Sequence, residues 1–110
     1  NAKFPLRAAK LLGFEEKKVL PSMVVNRVGN TYSGSSLLGL AAVLDLAKEG
    51  ERILMTSYGS GAGSDSFSMR VTGAIEGKRR LSPPVRYYMD RREYIDYAMY
   101  ARYERLPKGV

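Results

Sequence analysis

The stretch GNTYSGSSLLGLAAVLDLAKEGERILMTSYGSGAGSD, residues 29–65, decides the fold. It opens with small polar residues, continues through a long apolar segment and ends in a glycine-rich turn. The apolar segment predicts a helix from about Ser35 to Lys48 that is ended by Gly50. A helix that is apolar on nearly all sides is buried in the centre of something larger. The large apolar residues that do not fit on one helical stripe are Leu37, Leu38, Leu40, Val43, Leu44 and Leu46.

A β-hairpin is predicted directly after this helix. Residues 52–58 indicate a strand with an apolar centre, and residues 67–72 alternate between apolar and polar positions as a returning strand does. The connection, residues 59–65, is rich in glycine and could cradle a phosphate. It lacks the Gly-Lys-Ser/Thr ending of a nucleotide-binding loop and precedes a strand, so the pattern favours a hairpin turn.

Two small-residue loops therefore flank the apolar part of this stretch. Asn30 precedes the predicted helix and, taken alone, is typical of a helix cap. Ser60 lies in the glycine-rich turn. Because each loop adjoins a strongly apolar element, the two together suggest two walls of one pocket.

Upstream of this stretch, residues 4–14 predict a helix with an apolar side. Lys3, Arg7 and Lys10 share another side of it, and the spacing alone favours a solvated basic face. Residues 19–28 suggest a loop and a short extended segment.

Downstream, residues 78–110 form a basic tail that is rich in tyrosine. Nine Lys and Arg against four Asp and Glu give this tail a net charge of +5, out of +7 for the whole chain. Residues 77–80 predict a basic turn, and residues 90–105 predict a helix with its tyrosines on one side. Interleaved Tyr and Arg after Arg86 could bind nucleic acid. Packing of the tyrosines against a parent domain is favoured, since no nucleic-acid motif is present.

The composition narrows the possible chemistry. The 110 residues include no Cys and no His, so disulfides, thiolate metal sites and the common nucleophile–base pairs with these residues are excluded within the chain. The longest apolar run is too short to span a membrane, and no signal peptide is visible, which favours a cytoplasmic location. The chain begins at Asn1 without Met, which natural processing, proteolysis or a longer parent polypeptide would each explain.

The residue run from Gly29 to Ala41, followed by Arg52-Ile53-Leu54 and by Tyr58 to Asp65, resembles the C-terminal part of the archaeal-type hydroxymethylglutaryl-CoA synthases of the thiolase superfamily. The resemblance implies α/β architecture, with residues 1–110 forming part of the C-terminal half of a thiolase-like α/β/α layered fold. Its parts would be a buried helix, a β-hairpin and flanking helices. Residues 1–77 would form the wall that binds substrate and CoA, and residues 78–110 the tail. Because a nearly all-apolar helix needs cover on all sides and two strands supply little, the 110 residues are expected not to be independently stable, or to be covered by a second chain.

The resemblance also implies a chemistry. In such synthases a cysteine is acetylated by acetyl-CoA, a glutamate removes a proton from the acetyl methyl, and a histidine helps to activate the ketone of acetoacetyl-CoA. All three residues lie outside this chain, which is therefore expected to contain no catalytic residue and to be inactive alone. Asn30, Ser60 and Arg7 match substrate-binding positions, and Lys3 matches a CoA-binding lysine. No metal and no cofactor beyond the CoA thioesters is implied.

The family further implies partners and a setting. A homodimer is expected, together with association with an acetoacetyl-CoA thiolase and a bridging protein of the DUF35 type, in the cytoplasmic mevalonate pathway of isoprenoid biosynthesis. Neither nucleic acid nor membrane is expected as a partner. Two alternatives stay open: another condensing enzyme of the superfamily, similar to ketoacyl synthase III or to thiolase, and a basic module that binds nucleic acid or anions.

Overall fold

A computed structural model describes residues 2–105 of the chain, in which short helices precede and follow one β-hairpin. Both strands form a single antiparallel pair, so the expected mixture of helices and strands is confirmed. The predicted tail is described as far as Arg105, and residues 106–110 lie outside the described residues. In chain order the elements are α1 (Lys3–Leu11), α2 (Glu16–Val19), a 3₁₀ turn (Leu20–Ser22), α3 (Val25–Val28), a second 3₁₀ turn (Tyr32–Gly34), α4 (Ser35–Leu44), β1 (Arg52–Tyr58), β2 (Ser64–Arg70), α5 (Ala74–Arg79), α6 (Val85–Asp90) and α7 (Tyr97–Tyr103).

Helix α1 ends where glycine lets the chain reverse direction. Gly13 has a φ of +80°. Its N–H donates to the Lys10 carbonyl at 3.1 Å, and the Phe14 N–H donates to the Ala9 carbonyl at 2.9 Å. These two bonds satisfy carbonyls that the last turn of a helix otherwise leaves without partners.

The segment after α1 differs from the prediction. Residues 19–28 form helical turns and not an extended segment. Pro21 lies in the first turn of the 3₁₀ helix, where its missing N–H costs nothing, and the Ser22 hydroxyl donates to the Val19 carbonyl at 2.8 Å. Local hydrogen bonding therefore holds this apolar segment in compact turns.

Helix α4 packs against the first 3₁₀ turn through Gly39. A Cβ at this position would lie 3.2 Å from the carbonyl oxygen of Ser22, so glycine allows a closer approach than a larger residue would without a small shift of the turn. Gly39 and Ala42 are buried, whereas the side chain of Leu37 is 64% exposed. The described chain therefore covers only part of this apolar helix.

The hairpin is confirmed, although its second strand begins at Ser64 and not at Phe67. The strands pair from Arg52 opposite Arg70 to Tyr58 opposite Ser64. Along β1 the alternate residues Ile53, Met55 and Ser57 are half-buried, and the residues between them are exposed. This inner row faces α4, because the Ser57 hydroxyl is hydrogen-bonded to a serine of that helix.

Arg79 joins α5 to the C-terminal end of α4. Its guanidinium donates to the Leu44 carbonyl at 2.7 and 2.9 Å and also to the Ala47 carbonyl. Helix ends leave carbonyls of this kind without intrahelical partners, and a cation there also interacts favourably with the helix dipole. The predicted basic turn at 77–80 is therefore wrong for residues 77–79, which form the end of α5. Helix α4 ends at Leu44, earlier than predicted, where this arginine binds its terminal carbonyl.

Replacing Arg79 by Ala is expected to loosen the end of α4. Loss of charge-assisted hydrogen bonds to backbone carbonyls costs about 1.5–3 kcal/mol, which corresponds to roughly 10- to 150-fold in a local opening equilibrium. In a folded protein that contains this chain, amide hydrogen exchange should accelerate by that factor at Asp45, Leu46 and Ala47, whose N–H groups close the last turn. Arg80→Ala is the matched control, since Arg80 is exposed. Unchanged protection in Arg79→Ala would contradict the role given to this arginine.

The continuous helix predicted for residues 90–105 is wrong. Helix α6 ends at Asp90 and α7 begins at Tyr97, with an irregular segment between them. The Asp96 carboxylate accepts the Met99 N–H at 2.8 Å, which is the hydrogen bond of a helix N-cap. This capping aspartate starts a new helix where the apolar periodicity alone suggested an uninterrupted one.

An ion pair connects α6 to α3. The Asp90 carboxylate accepts a hydrogen bond from the Arg27 guanidinium and lies 3.4 Å from that of Arg86. The hydrogen bond from Arg27 holds the pKa of Asp90 below its ordinary value of 3.8, with a smaller contribution from the charge of Arg86. Beside the pair, an apolar cleft of about 260 Å³ lies between α3, α4 and α6.

The titration of Asp90 provides a test of this connection. Because the folded-state pKa is lowered, the ion pair stabilises the structure above the unfolded pKa and is lost as the pH falls through the lower, folded value. In a folded protein that contains this chain with Arg27→Gln, the pKa of Asp90 should rise towards its ordinary value. The ¹³C chemical shift of the Asp90 carboxyl carbon measures this, with Arg105→Gln as control. An equal pKa in both variants would show that Arg27 does not hold the carboxylate.

The described fold has little interior of its own. The accessible surface is 9482 Å², whereas a compact monomer of 12.2 kDa exposes about 6,100 Å². The radius of gyration is 17.1 Å, against about 13 Å for a compact domain of this length. The helices and the hairpin therefore leave apolar faces uncovered. The buried apolar side chains are Met23, Val24, Ala42, Ala47 and Val71.

Candidate functional site

Two loops leave the same end of the α4–β1 pair. Ser36, in the first turn of α4, is hydrogen-bonded through its hydroxyl to the hydroxyl of Ser57, near the end of β1, at 3.0 Å. The loop of residues 29–34 enters α4 at this end, and the loop of residues 59–63 leaves β1 at this end. The structure thus brings the loop that carries Asn30 and the loop that carries Ser60 to one side of the molecule.

The first loop holds the Asn30 side chain by one of its two polar groups. The side-chain oxygen accepts the N–H of Tyr32 at 2.9 Å, which forms an Asx turn. Within residues 2–105 the side-chain NH₂ group makes no hydrogen bond, and the residue is exposed. Helix α4 is not capped by Asn30, since its N-cap residue is Gly34. The loop therefore orients an amide donor and leaves it available.

Backbone strain occurs in both loops. Tyr32 has a φ of +48° and Ala62 a φ of +61°, and both are residues for which this left-handed conformation is unfavourable. Each such residue costs about 1–3 kcal/mol and persists where the surrounding structure requires it, often at binding sites. Gly29, with φ +75° and ψ −165°, adopts a conformation that is essentially restricted to glycine.

The second loop is closed by its own backbone. The Gly59 N–H donates to the Gly63 carbonyl at 3.0 Å, and the Ala62 N–H donates to the Gly59 carbonyl at 3.1 Å. A Cβ on Gly59, Gly61 or Gly63 would meet no atom within 4 Å, and none of the three has a positive φ. Neither crowding nor conformation within the described residues requires these glycines. They leave the backbone around Ser60 open to close approach by another molecule.

Lys3 and Arg7 lie on a separate element. Both are exposed and are one turn apart on α1. Helix α1 packs on α2, α2 on the first 3₁₀ turn, and that turn on α4. The loops that carry Asn30 and Ser60 therefore adjoin one end of α4 and β1, whereas the two basic residues lie on a helix that reaches α4 through two other elements.

The arrangement suits binding and polarisation of a carbonyl group. Its polar groups are an amide, hydroxyls and backbone N–H groups, which donate hydrogen bonds without a change of protonation state. Within the described residues no group of His, Cys, Asp or Glu side chains could hold a metal ion, and no helix is long and apolar enough to cross a membrane. Sequence reasoning missed Ser36 and Ser57. The available signal was that Ser57 stands where the inner row of β1 is otherwise apolar.

Comparison with known proteins shows which family this chain resembles in sequence. Residues 6–104 match the profile described as hydroxymethylglutaryl-coenzyme A synthase C terminal. The hydroxymethylglutaryl-CoA synthase of Thermococcus kodakarensis is 58% identical over 103 residues, which are 94% of this chain and 29% of that protein. The synthase of Pyrococcus horikoshii is 57% identical over 96% of this chain and 30% of its own length. That of Archaeoglobus fulgidus is 57% identical over 99% of this chain and 32% of its own. The chain thus spans about 30% of the length of the curated relatives that it matches.

Proposed function

The chain belongs to the hydroxymethylglutaryl-CoA synthase family, and on that premise we propose that residues 29–63 form the acyl-binding wall of an enzyme that condenses acetyl-CoA with acetoacetyl-CoA. The observation that carries the proposal is the pair of strained loops at one end of α4 and β1, with the Asn30 amide donor available. The family match over residues 6–104 favours this function over the nucleic-acid-binding alternative.

In the proposed reaction, a carbanion formed from an enzyme-bound acetyl group attacks the ketone of acetoacetyl-CoA. The ketone oxygen, or the oxygen of the acetyl thioester, gains negative charge as bonds change. A neutral amide such as that of Asn30 stabilises this charge by donating a hydrogen bond, and it needs no matched pKa. Ser60 and the open backbone around it would hold the thioester. The chain contains no Cys and no His, so a nucleophile and an acid–base histidine would come from elsewhere.

The proposal includes an architecture. Residues 1–77 would supply the substrate and CoA wall, and residues 78–110 a basic tail. Both would belong to the C-terminal half of a thiolase-like fold of α/β/α layers. The exposure of Leu37 and Leu46 on and just after α4, at 64% and 66%, supports further layers over this helix.

Lys3 and Arg7 are proposed to bind CoA and substrate, respectively. Two cations one helical turn apart suit the phosphates of CoA, because charge-assisted hydrogen bonds to phosphate are strong. The double change to Ala is expected to raise the KM for acetyl-CoA about tenfold with little effect on kcat, since it removes binding common to the ground and transition states. Lys18→Ala is the control on a neighbouring helix. An unchanged KM would remove both residues from the site.

The tail is proposed to contact protein partners. Tyrosine and arginine are common anchors at interfaces, and here Arg91 and Arg92 lie over the rings of Tyr87 and Tyr94 at 5.6 and 5.2 Å. The partners proposed are a second copy of the enzyme, an acetoacetyl-CoA thiolase and a DUF35-type bridging protein, in a cytoplasmic isoprenoid pathway. Light scattering of the complete enzyme with Tyr97→Ser and Tyr100→Ser tests whether the tail contacts these partners. An unchanged oligomeric mass and unchanged thiolase binding would exclude the tail from both interfaces.

A chimaera provides the direct test of the function. In it, this chain replaces the matching segment of the Archaeoglobus fulgidus synthase, with which it shares 57% identity over 109 residues. If the chain supplies a working acyl wall, the chimaera should convert acetyl-CoA and acetoacetyl-CoA with a kcat within about tenfold of the parent enzyme. A folded chimaera that is inactive with these substrates would contradict the proposal. Activity with a different acyl acceptor would support the ketoacyl synthase-like or thiolase-like alternative.

A further inference from the structure

The hydroxyl groups of Ser36 and Ser57 lie where α4 and β1 meet, beside the two loops, and have no part in the proposed binding of substrate. Ser36 and Ser57 are half-buried, whereas residues 29–34 and 58–63 are exposed. Their hydroxyl oxygens are 3.0 Å apart, so one hydroxyl donates to the other between α4 and β1. This hydrogen bond joins α4, which follows the Asn30 loop, to β1, which precedes the Ser60 loop.

The position of Ser57 is unusual for its strand. It continues the inner row of Ile53 and Met55, in which the pattern calls for an apolar side chain against α4. A residue that departs from the local pattern is expected where function sets a requirement. The hydroxyl here does what an apolar side chain could not do, because it fixes the end of β1 to one particular residue of α4.

The contacts continue from this pair into both loops. On the α4 side, the Ser35 hydroxyl lies 2.9 Å from that of Thr31, and Thr31 follows Asn30 directly. On the β1 side, the chain passes from Ser57 through Tyr58 to the backbone-closed turn that contains Ser60. A change in the distance between Ser36 and Ser57 would therefore change the distance between the two loops.

We propose that Ser36 and Ser57 are positioning residues, which set the separation of the Asn30 and Ser60 loops through their mutual hydrogen bond. This inference rests on the proposed function, since the separation matters only if both loops contact one substrate. A displacement of about 1 Å between groups that bind a reacting molecule can reduce turnover by about a hundredfold. The pair acts on the orientation of the substrate and not on its affinity.

The experiment uses the active chimaera with Ser36→Ala, Ser57→Ala, the double variant and Ser57→Thr. Each single Ala variant should lower kcat by about 10- to 100-fold, with KM within about twofold of the value for the unmodified chimaera. The double variant should be no worse than either single one, because both remove the same bond. Ser57→Thr keeps the hydroxyl and should restore kcat to within about threefold.

The hairpin offers a matched control. Thr56 and Ser66 form a second hydroxyl–hydroxyl bond of 2.9 Å on the exposed face of the same strands, away from α4. Ser66→Ala removes that bond and should leave kcat and KM unchanged. The melting temperature of every variant is measured, so that a loss of folding is seen directly.

The kcat values of the serine and asparagine variants distinguish the positioning role from the proposed function. If Ser57→Ala retains the wild-type kcat while changes at Asn30 abolish turnover, the positioning role is wrong and the proposed function stands. A lowered melting temperature together with a kcat that Ser57→Thr fails to restore would also overturn the positioning role. If changes at Asn30 and Ser60 leave turnover intact as well, the proposed function fails.

Discussion

Asn30→Ala in the chimaera is expected to lower kcat by about 10²- to 10³-fold, as the loss of one donor to a developing oxyanion does. The physical reason lies in the Asx turn, which fixes the side-chain oxygen on the Tyr32 N–H at 2.9 Å. The opposite edge of the amide, its NH₂ group, is thereby directed and left for a ligand. KM should change little, because the bond strengthens as charge develops on the acyl oxygen.

Asn30→Asp sharpens this experiment. The carboxylate has the same shape and can still accept the Tyr32 N–H, so the turn is retained. It cannot donate, and its negative charge would lie close to a developing oxyanion. The loss of kcat should therefore equal or exceed that of Asn30→Ala. Asn26→Ala, at an exposed position of α3, is the matched control. Turnover that survives Asn30→Asp would remove this residue from the acyl wall.

The second large effect concerns stability. The 110 residues alone are expected to show no cooperative unfolding transition as a monomer. The exposed area of 9482 Å² exceeds the area of a compact monomer by about half, and apolar side chains such as Leu37 and Leu46 remain largely uncovered. Burial of such surface is the main favourable contribution to folding.

Calorimetry and light scattering of the isolated chain measure this. A compact domain of this length would unfold with an enthalpy of about 75 kcal/mol near 60 °C. The isolated chain should show a broad transition with a much smaller enthalpy, or should associate. A monomeric chain with one sharp transition and the enthalpy of a compact domain would show that the chain is stable without further layers over its exposed apolar faces.

The sequence predicted the elements with strong local signals. Strand β1 follows from its β-forming residues, and the turn at 59–63 follows from its glycines. Asn30 and Ser60 could be proposed only through the family resemblance, since each alone is typical of a cap or a turn. The exposed apolar side chains of α4 also agree with its sequence, because its apolar residues are too many to lie on one buried face.

Predictions from the sequence were wrong or incomplete where a single side chain, often distant along the chain, determines the local structure. The inward turn of Arg79 onto the end of α4 joins residues 35 positions apart, and a run of basic residues does not reveal it. The break before α7 depends on a single capping carboxylate, Asp96. The Ser36–Ser57 bond joins residues 21 positions apart and became visible only when the strand and the helix were placed side by side.

The proposed function depends on both loops contacting one acyl group. A crystal structure of the chimaera with acetoacetyl-CoA tests it most directly. We expect the Asn30 side-chain nitrogen about 2.7–3.2 Å from an acyl or thioester oxygen, with the Ser60 loop in contact with the same ligand. An acyl group bound elsewhere, with Asn30 and Ser60 both facing solvent, would contradict it.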